Sequence, residues 1–308
     1  MLLATSLSIL LFAAAPAPPI VALAISPDAA HVVSASQAGV EIRSLTDLKI
    51  KQTLATELVQ VHDLAFSPDA KLLAIVGGSP GELGRVEIWT WPEAVLKATL
   101  PAGGDLAYRV AWNADASQLA IAGGDRRVRI APASGGEAKT YECHSAGALA
   151  AAWMTADDLV LSAGVDQSIR VLEPATGNIR RSLDNHTAAV RDLVIRPGQH
   201  DGPIMVASCS ADRTVRFWQP TIGRLVRFVR LPSAPTALAW TPKSSHVLAA
   251  SEDGKLRAID PETIQVIEFA QKLDGVAFAI AALPDGSGAV LAGAAGQLRI
   301  IPLDAIKK

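Results

Sequence analysis

Seven times along this chain an apolar segment ends in a short polar turn, and the interval between ends stays within a narrow band. The ends fall at Ile25, Phe66, Trp112, Trp153, Ile195, Trp240 and Ala282, with spacings of 41, 46, 41, 42, 45 and 42. A second series aligns independently at Val40-Glu41-Ile42, Val86-Glu87-Ile88, Val128-Arg129-Ile130, Ile169-Arg170-Val171, Val215-Arg216-Phe217, Leu256-Arg257-Ala258 and Leu298-Arg299-Ile300. Here a charged middle residue separates two apolar ones, the two-residue period of a strand with one side buried. Two rulers agree on seven units. A unit of this size cannot bury its own apolar face and needs its neighbours.

Room for four short strands in a period of 40–45 residues points to an all-β fold: a seven-bladed β-propeller with four antiparallel strands per blade. The units run near 18–57, 58–103, 104–143, 144–185, 186–231, 232–273 and 274–308, so 18–308 is expected to be one domain. Between the last two core positions of the first strands stand Ala24, Ala65, Ala111, Ala152, Val194, Ala239 and Ala281. Six alanines and a valine fit a steric demand where seven strands converge. Half the residues are hydrophobic and 19% charged, which suits buried strands with polar turns. The second unit carries extra length at Gly77 to Gly84, expected to lengthen the turn between its second and third strands. The fifth carries Gly198 to Pro203 between its first and second.

The fifth unit is the most fully written. His186 precedes the first strand (Val190, Leu193, Ile195), Ser208 lies in the second (Met205 to Cys209), Asp212 in the tight turn, and Trp218 closes the third (Val215 to Trp218). A turn Asp can accept a proton from the His ring, whose other nitrogen bonds the Ser hydroxyl, which meets the indole N–H. Such a chain satisfies groups that would each cost about 1–3 kcal/mol if buried alone. This set resembles the structural tetrad of the WD-repeat β-propellers, over residues 18 to 302. The resemblance implies a scaffold without catalytic residues, cofactor or metal. Most copies are degenerate. The fourth keeps His144, Ser162 and Asp166 with Leu172 in the Trp place, the third and sixth keep the turn aspartates Asp125 and Asp253, and the second keeps Trp89.

Residues 1–17 read two ways. Leu7 to Phe12 followed by Ala13-Ala14-Ala15 resembles a secretory signal, though without a basic start. Counting 13 residues back from the first strand, Leu7 to Ala13 also falls where a fourth strand would close or complete the seventh blade. Other outer strands carry charges (Lys49, Lys51; Arg224, Arg227, Arg230), as exposed edges should, and this one carries none. The signal reading is preferred, so the chain is expected to be exported to the periplasm or outside the cell if 1–17 is cleaved, and cytoplasmic otherwise. The apolar run is too short to span a membrane. Cys143 and Cys209 fall in different units, so no disulfide is expected, and neither has metal-ligand spacing.

Net charge is −2, which calls for neither nucleic acid nor an anionic membrane. Locally, nine arginines stand against four aspartates between residues 179 and 230; alternation spreads them over solvated strand faces, with an anionic partner as the other reading. His186, Ser208 and Asp212 superficially match an acyl-transfer triad, but a nucleophile must be exposed beside an oxyanion site. Ser251-Glu252-Asp253-Gly254 has only a loose likeness to a sialidase-type turn. The glycines at 77–84 lack the Lys-Ser/Thr of a phosphate loop.

At the start of the first strands, His62 and Asp63, Tyr108 and Arg109, and Arg191 and Asp192 place mixed aromatic, basic and acidic groups at the channel mouth, where the other units are apolar. These six are the candidate partner-binding residues, set against a ring of channel residues that only neutralise one another. The expected function is a monomeric disc that binds a protein or peptide through its loop-rich face and axial mouth. The alternative is a propeller hydrolase, lactonase- or glycosidase-like, which needs convergent carboxylates or an ion at the axis.

Overall fold

The computed structural model describes residues 16–198, 204–243 and 245–307. Seven antiparallel sheets succeed one another along the chain, six of four strands and, among the described residues, a last one of three. In every sheet the strands lie side by side in chain order, so each blade is a meander from its first strand to its outermost. Blade 5, for instance, is built of Val190–Ile195, Val206–Ser210, Thr214–Gln219 and Arg224–Arg230. Burial follows that order. Second strands such as Leu159–Gly164 and Val247–Ser251 are buried at every residue, because both faces are covered by neighbouring blades. Outer strands such as Ile50–Leu54 and Ile179–Leu183 are exposed at all but the last residue.

Apolar packing sits in the seams between blades. Blades 1 and 2 share a cluster of Val33, Ile42, Leu64, Ile75 and Trp89, among others. Blades 2 and 3, 4 and 5, 5 and 6, and 6 and 7 each share one of their own. The seam of blades 3 and 4 is divided into an outer and an inner cluster. Val32, Leu283 and Val290 close the ring between blades 7 and 1. Burying one Leu, Ile or Val side chain is worth about 1.5–3 kcal/mol, and each such residue is buried only because the next blade is present.

The alanine row belongs to these seams. Ala24, Ala65, Ala111, Ala152, Val194 and Ala239 each pack into the cluster shared with the following blade. The first strands are the inmost parts of two wedges, where a seam is narrowest and only a small side chain, a methyl or at most the isopropyl of Val194, fits. Trp112 and Trp240 fasten the same place, each donating its indole N–H across the seam, to the Ala65 carbonyl at 3.0 Å and the Val194 carbonyl at 3.2 Å.

The extra residues of blade 2 do not form a longer turn. They extend a hairpin, pairing Leu72–Ser79 with Leu83–Thr90 out to Ser79 and Leu83. The glycines explain why: a Cβ on Gly77 would lie 1.8 Å from the Gln60 carbonyl oxygen, and Gly78 holds φ +143°. Only residues without side chains let the strands pass this close. The tip is tied to the next blade, the Gly81 N–H donating to Asp105 at 2.8 Å. In blade 5, residues 199–203 of the expected insertion lie outside the described residues, as do residues 1–15, on which both readings of the N-terminal segment fall. Cys143 and Cys209 are free and buried, and burial pushes the Cys143 thiol up to about 11.

Ala152→Phe should overfill its seam and cost about 1–3 kcal/mol or more, read as a lowered urea midpoint. Gln52→Phe, on the exposed outer strand of blade 1, should stay within about 0.5 kcal/mol of the parent. Equal effects would contradict the seam as the seat of stability.

Candidate functional site

Every first strand breaks its pairing at the same place. In blade 1, Ile20 pairs with Ser36 and Ala22 with Ala35, so Val21 has no opposite number. The same one-residue bulge releases His62, Tyr108, Leu149, Arg191, Thr236 and Phe278 in blades 2 to 7. A bulge re-aims a side chain without ending the strand. Here seven bulges aim seven side chains into one hollow of about 180 Å³ at the axis, lined by all of them. The hollow opens on the loop-rich face, since each bulge lies beside the turn between second and third strands, as Val190 beside Ser210.

Beneath this ring lies a charged floor. Arg109 reaches across the inner ring from blade 3, pairing with Asp63 of blade 2 at 3.2 Å and with Asp192 of blade 5. Both carboxylates also accept backbone N–H groups of the blades that follow: Val110 to Asp63 at 3.0 Å, and Leu238 to Asp192 at 2.8 Å. Burial raises the Asp63 carboxyl, although Arg109 and the amides pull the other way. Burial would lower the Arg109 guanidinium, but Asp192 and Asp63 overcome it and hold the charge in place. Three of the six candidate binding residues, Asp63, Arg109 and Asp192, are thereby spent on one another and on the backbone.

The other three stand free of that floor. His62 packs its ring 4.8 Å from that of Tyr108. Its Nε2 is buried without a hydrogen-bond partner, and burial lowers its pKa, so the ring is held neutral. Arg191 leans outward to Glu252 at 2.8 Å, in a half-exposed ion pair of the kind that contributes about 0–1 kcal/mol. Phe278 and Val21 make one apolar arc on the adjacent blades 7 and 1, while Leu149 interrupts the polar remainder between Tyr108 and Arg191. The sequence places Phe278, Leu149 and Thr236 at the channel mouth but, as members of apolar pairs, outside the binding candidates; the bulge that aims them into the hollow leaves no mark in a single repeat.

The turns around the mouth are anchored from below. Trp218 donates its indole N–H to Ser208 Oγ at 2.8 Å, and Ser208 lies 2.8 Å from His186 Nε2. His186 Nδ1 then faces Asp212 at 2.8 Å. The order fixes the tautomer: the hydroxyl donates to Nε2, and Nδ1–H donates to the carboxylate. Hydrogen bonds from Thr214, His186 and the Thr187 amide outweigh burial and hold the Asp212 carboxyl far below the usual range. In blade 4, His144 stands 3.0 Å from Asp166 and 2.8 Å from Ser162.

Blades 3 and 6 hold their turns differently. Arg129 and Arg257, in the middle of the third strands, fork onto Asp125 and Asp253 four residues earlier. Arg257 takes Glu268 as well. Gly103 makes room for this, since a Cβ there would lie 2.6 Å from the Arg129 guanidinium. Blade 2 substitutes Glu87, which accepts from Trp89 Nε1 and the Glu57 amide, both at 3.0 Å. The Asp-x-x-x-Arg spacing of blades 3 to 6 was the available signal.

Chemically, the site offers shape and hydrogen bonds. Ser208 is fully buried with its oxygen engaged on two sides. Among the described residues no three His, Cys, Asp or Glu side chains are placed to share a metal ion, and no helix is long and apolar enough to cross a membrane.

A family model, "WD domain, G-beta repeat", matches residues 177–219 and 226–260. The chain is 27% identical over 126 residues to THO complex subunit 3 of Arabidopsis thaliana, covering 40% of this chain and 39% of that protein. It is 30% identical over 109 residues to Pre-mRNA-processing factor 19 of Mus musculus, covering 35% and 21%. To Nuclear distribution protein nudF of Aspergillus flavus it is 28% identical over 109 residues, covering 34% and 23%. The chain thus spans between about a fifth and two fifths of the length of these curated relatives. They correct one expectation. Proteins named for pre-mRNA processing and nuclear distribution work inside the cell, so the export expected from residues 1–17 is withdrawn.

Ser208→Ala should strand the Trp218 indole and the His186 ring and cost about 1–3 kcal/mol. Burial lowers the His144 and His186 pKa values against the pull of Asp166 and Asp212. Below about pH 6.5 the unfolded chain takes up protons that the folded chain refuses. Stability should therefore be level above that pH and fall below it, with a further fall below about pH 4 as Asp212 loses its hydrogen-bonded carboxylate. Urea unfolding from pH 8 to 3.5 reads both; stability that rises between pH 6.5 and 5 would contradict the assignment.

Proposed function

The chain is a seven-bladed WD-repeat propeller, and on that premise we propose that it is a non-catalytic scaffold. A protein or peptide partner docks on the loop-rich face of a monomeric disc, with the axial hollow as its anchor point. One observation carries this reading: the same bulge recurs in all seven blades, yet it presents Val, His, Tyr, Leu, Arg, Thr and Phe. A packing demand yields uniform residues, as the alanine row does a few positions on. Seven unlike side chains on one repeated backbone device suit recognition of an irregular surface.

The floor supports the same reading. With Arg109 drawn across to Asp63 and Asp192, the hollow takes a side chain from one face. The axial carboxylates are bound to backbone amides, so neither is free to act as acid or base. His62 Nε2 offers one unspent hydrogen bond beside the aromatic Tyr108, and a buried group of that kind is worth about 1–3 kcal/mol once paired. Arg191 exchanges a weak surface pair for a partner carboxylate. A complex subunit among the relatives fits an assembly role.

The test is a photo-crosslinking residue placed at Phe278, with Lys243 on the opposite face as control, followed by capture from native cells. One partner protein should be caught at 278 and not at 243. Removing His62 and Arg191 together with Ala should weaken its binding about tenfold or more. Equal capture from both faces, or binding unchanged in that variant, would contradict the axial anchor.

A further inference from the structure

The outer rim where blades 4 and 5 meet differs from every other rim described. Elsewhere the outer strands carry isolated lysines, Lys51, Lys97 and Lys139, that keep an edge soluble. Here the charges are arginines, and they come with exposed apolar groups. Among the described residues Phe228, 53% exposed, is the only aromatic among the large hydrophobics that face solvent, and Ile222 and Ile179 of the same two blades are exposed as well. An edge guarded only against aggregation would not display a phenyl ring.

Register places these groups on one side. Trp218 lies in the seam with blade 4, and Thr214 and Arg216 share its strand face. Phe228 pairs opposite Arg216 and Arg230 opposite Thr214, so both look towards blade 4. Arg216 stacks its guanidinium 5.2 Å from the centre of the Phe228 ring. From blade 4, Arg181 crosses the seam and donates to the Thr221 carbonyl at 3.0 Å, which fixes its direction. Arg213 marks the upper end, its carbonyl accepting the Leu231 amide at 2.7 Å. Among the described residues Arg181, Arg213 and Arg230 have no carboxylate within ion-pair distance. The stripe follows Arg224–Arg230, an edge strand whose outer N–H and C=O groups are unpaired within that sheet. At about 3.3 Å per residue it is on the order of 20 Å long.

We propose that this stripe docks an extended acidic polypeptide segment of a partner. The segment lies along the outer edge of blade 5, hydrogen-bonds to its backbone, and sets carboxylates on Arg181 and Arg230 with an apolar side chain over Phe228. Guanidinium groups accept carboxylate and phosphate alike. The unpaired strand edge is what favours a polypeptide, since a strand is completed by another backbone. The stripe stands apart from the axial hollow and does not depend on it.

The probe is a fluorescent, end-capped peptide of about eight residues with Glu, Val and Glu at every second position and Ser between them, so that both acids and the apolar side chain share one face, followed by anisotropy with the whole chain. An oligothymidylate of equal charge is measured in the same salt. The peptide should bind, and its Kd should rise about tenfold in Arg181→Gln/Arg230→Gln. Phe228→Ser should weaken it, and Lys51→Gln/Lys97→Gln should leave it within about twofold. His62→Ala/Phe278→Ala should bind the probe as the parent does. All substituted arginines and Phe228 are exposed or rim residues, so thermal unfolding should be unchanged. Undiminished binding in the arginine variant would overturn the proposal, as would tighter binding of the oligothymidylate through the same residues. Loss in the axial variant alone would also overturn it, while leaving the axial anchor intact.

Discussion

Each blade is half of two hydrophobic cores and the whole of none. Leu73 and Ile75 are buried against blade 1, Val76 and Val86 against blade 3, and the sheet between them has no interior of its own. A stack of such units would leave an apolar face bare at each end. Closing the ring removes both ends, which is why Val32 of blade 1 must meet Leu283 and Val290 of blade 7. Side-chain sizes then follow from position along the wedge: methyl groups near the axis, branched chains and indoles farther out.

With the seams fixed, the loop-rich face becomes a place where irregular backbone is tolerated. Turn aspartates hold it down by whatever partner the blade supplies, an imidazole in blades 4 and 5 or a guanidinium in blades 3 and 6. The chemical solution varies while the geometry persists, because what the fold needs is a filled hydrogen-bond demand at the turn. Inside that collar the first-strand bulges turn seven side chains away from the seams. Function is thereby separated from stability: the seams carry the ring, and the bulged residues are free to differ.

The seven units, the strand edges and the small residues at the narrow seam could be read from the sequence, because each is a demand repeated seven times at nearly constant spacing. His186, Ser208, Asp212 and Trp218 stand within hydrogen-bond reach of one another, as their offsets allow. What could not be read depended on pairs far apart or on local register. Arg109 meets residues 46 and 83 positions away, and nothing in one repeat announces that reach. Arg129 and Arg257 looked like ordinary polar strand residues, although their spacing from the turn Asp was visible. The glycines of blade 2 suggested a loop, yet they were there to let two backbones pass. The inner-strand starts were legible as a row of unlike residues, and only pairing shows that they bulge into one hollow.

The dependence of every blade on its neighbours is tested most directly by native-state hydrogen exchange as denaturant is raised. Amides of the seven second strands, from Val32–Ala35 in blade 1 to Ala289–Ala292 in blade 7, are the buried reporters. If the seams carry the ring, their opening free energies should converge on one value as global unfolding takes over. A blade whose second strand opens alone, several kcal/mol below the rest, would contradict the account.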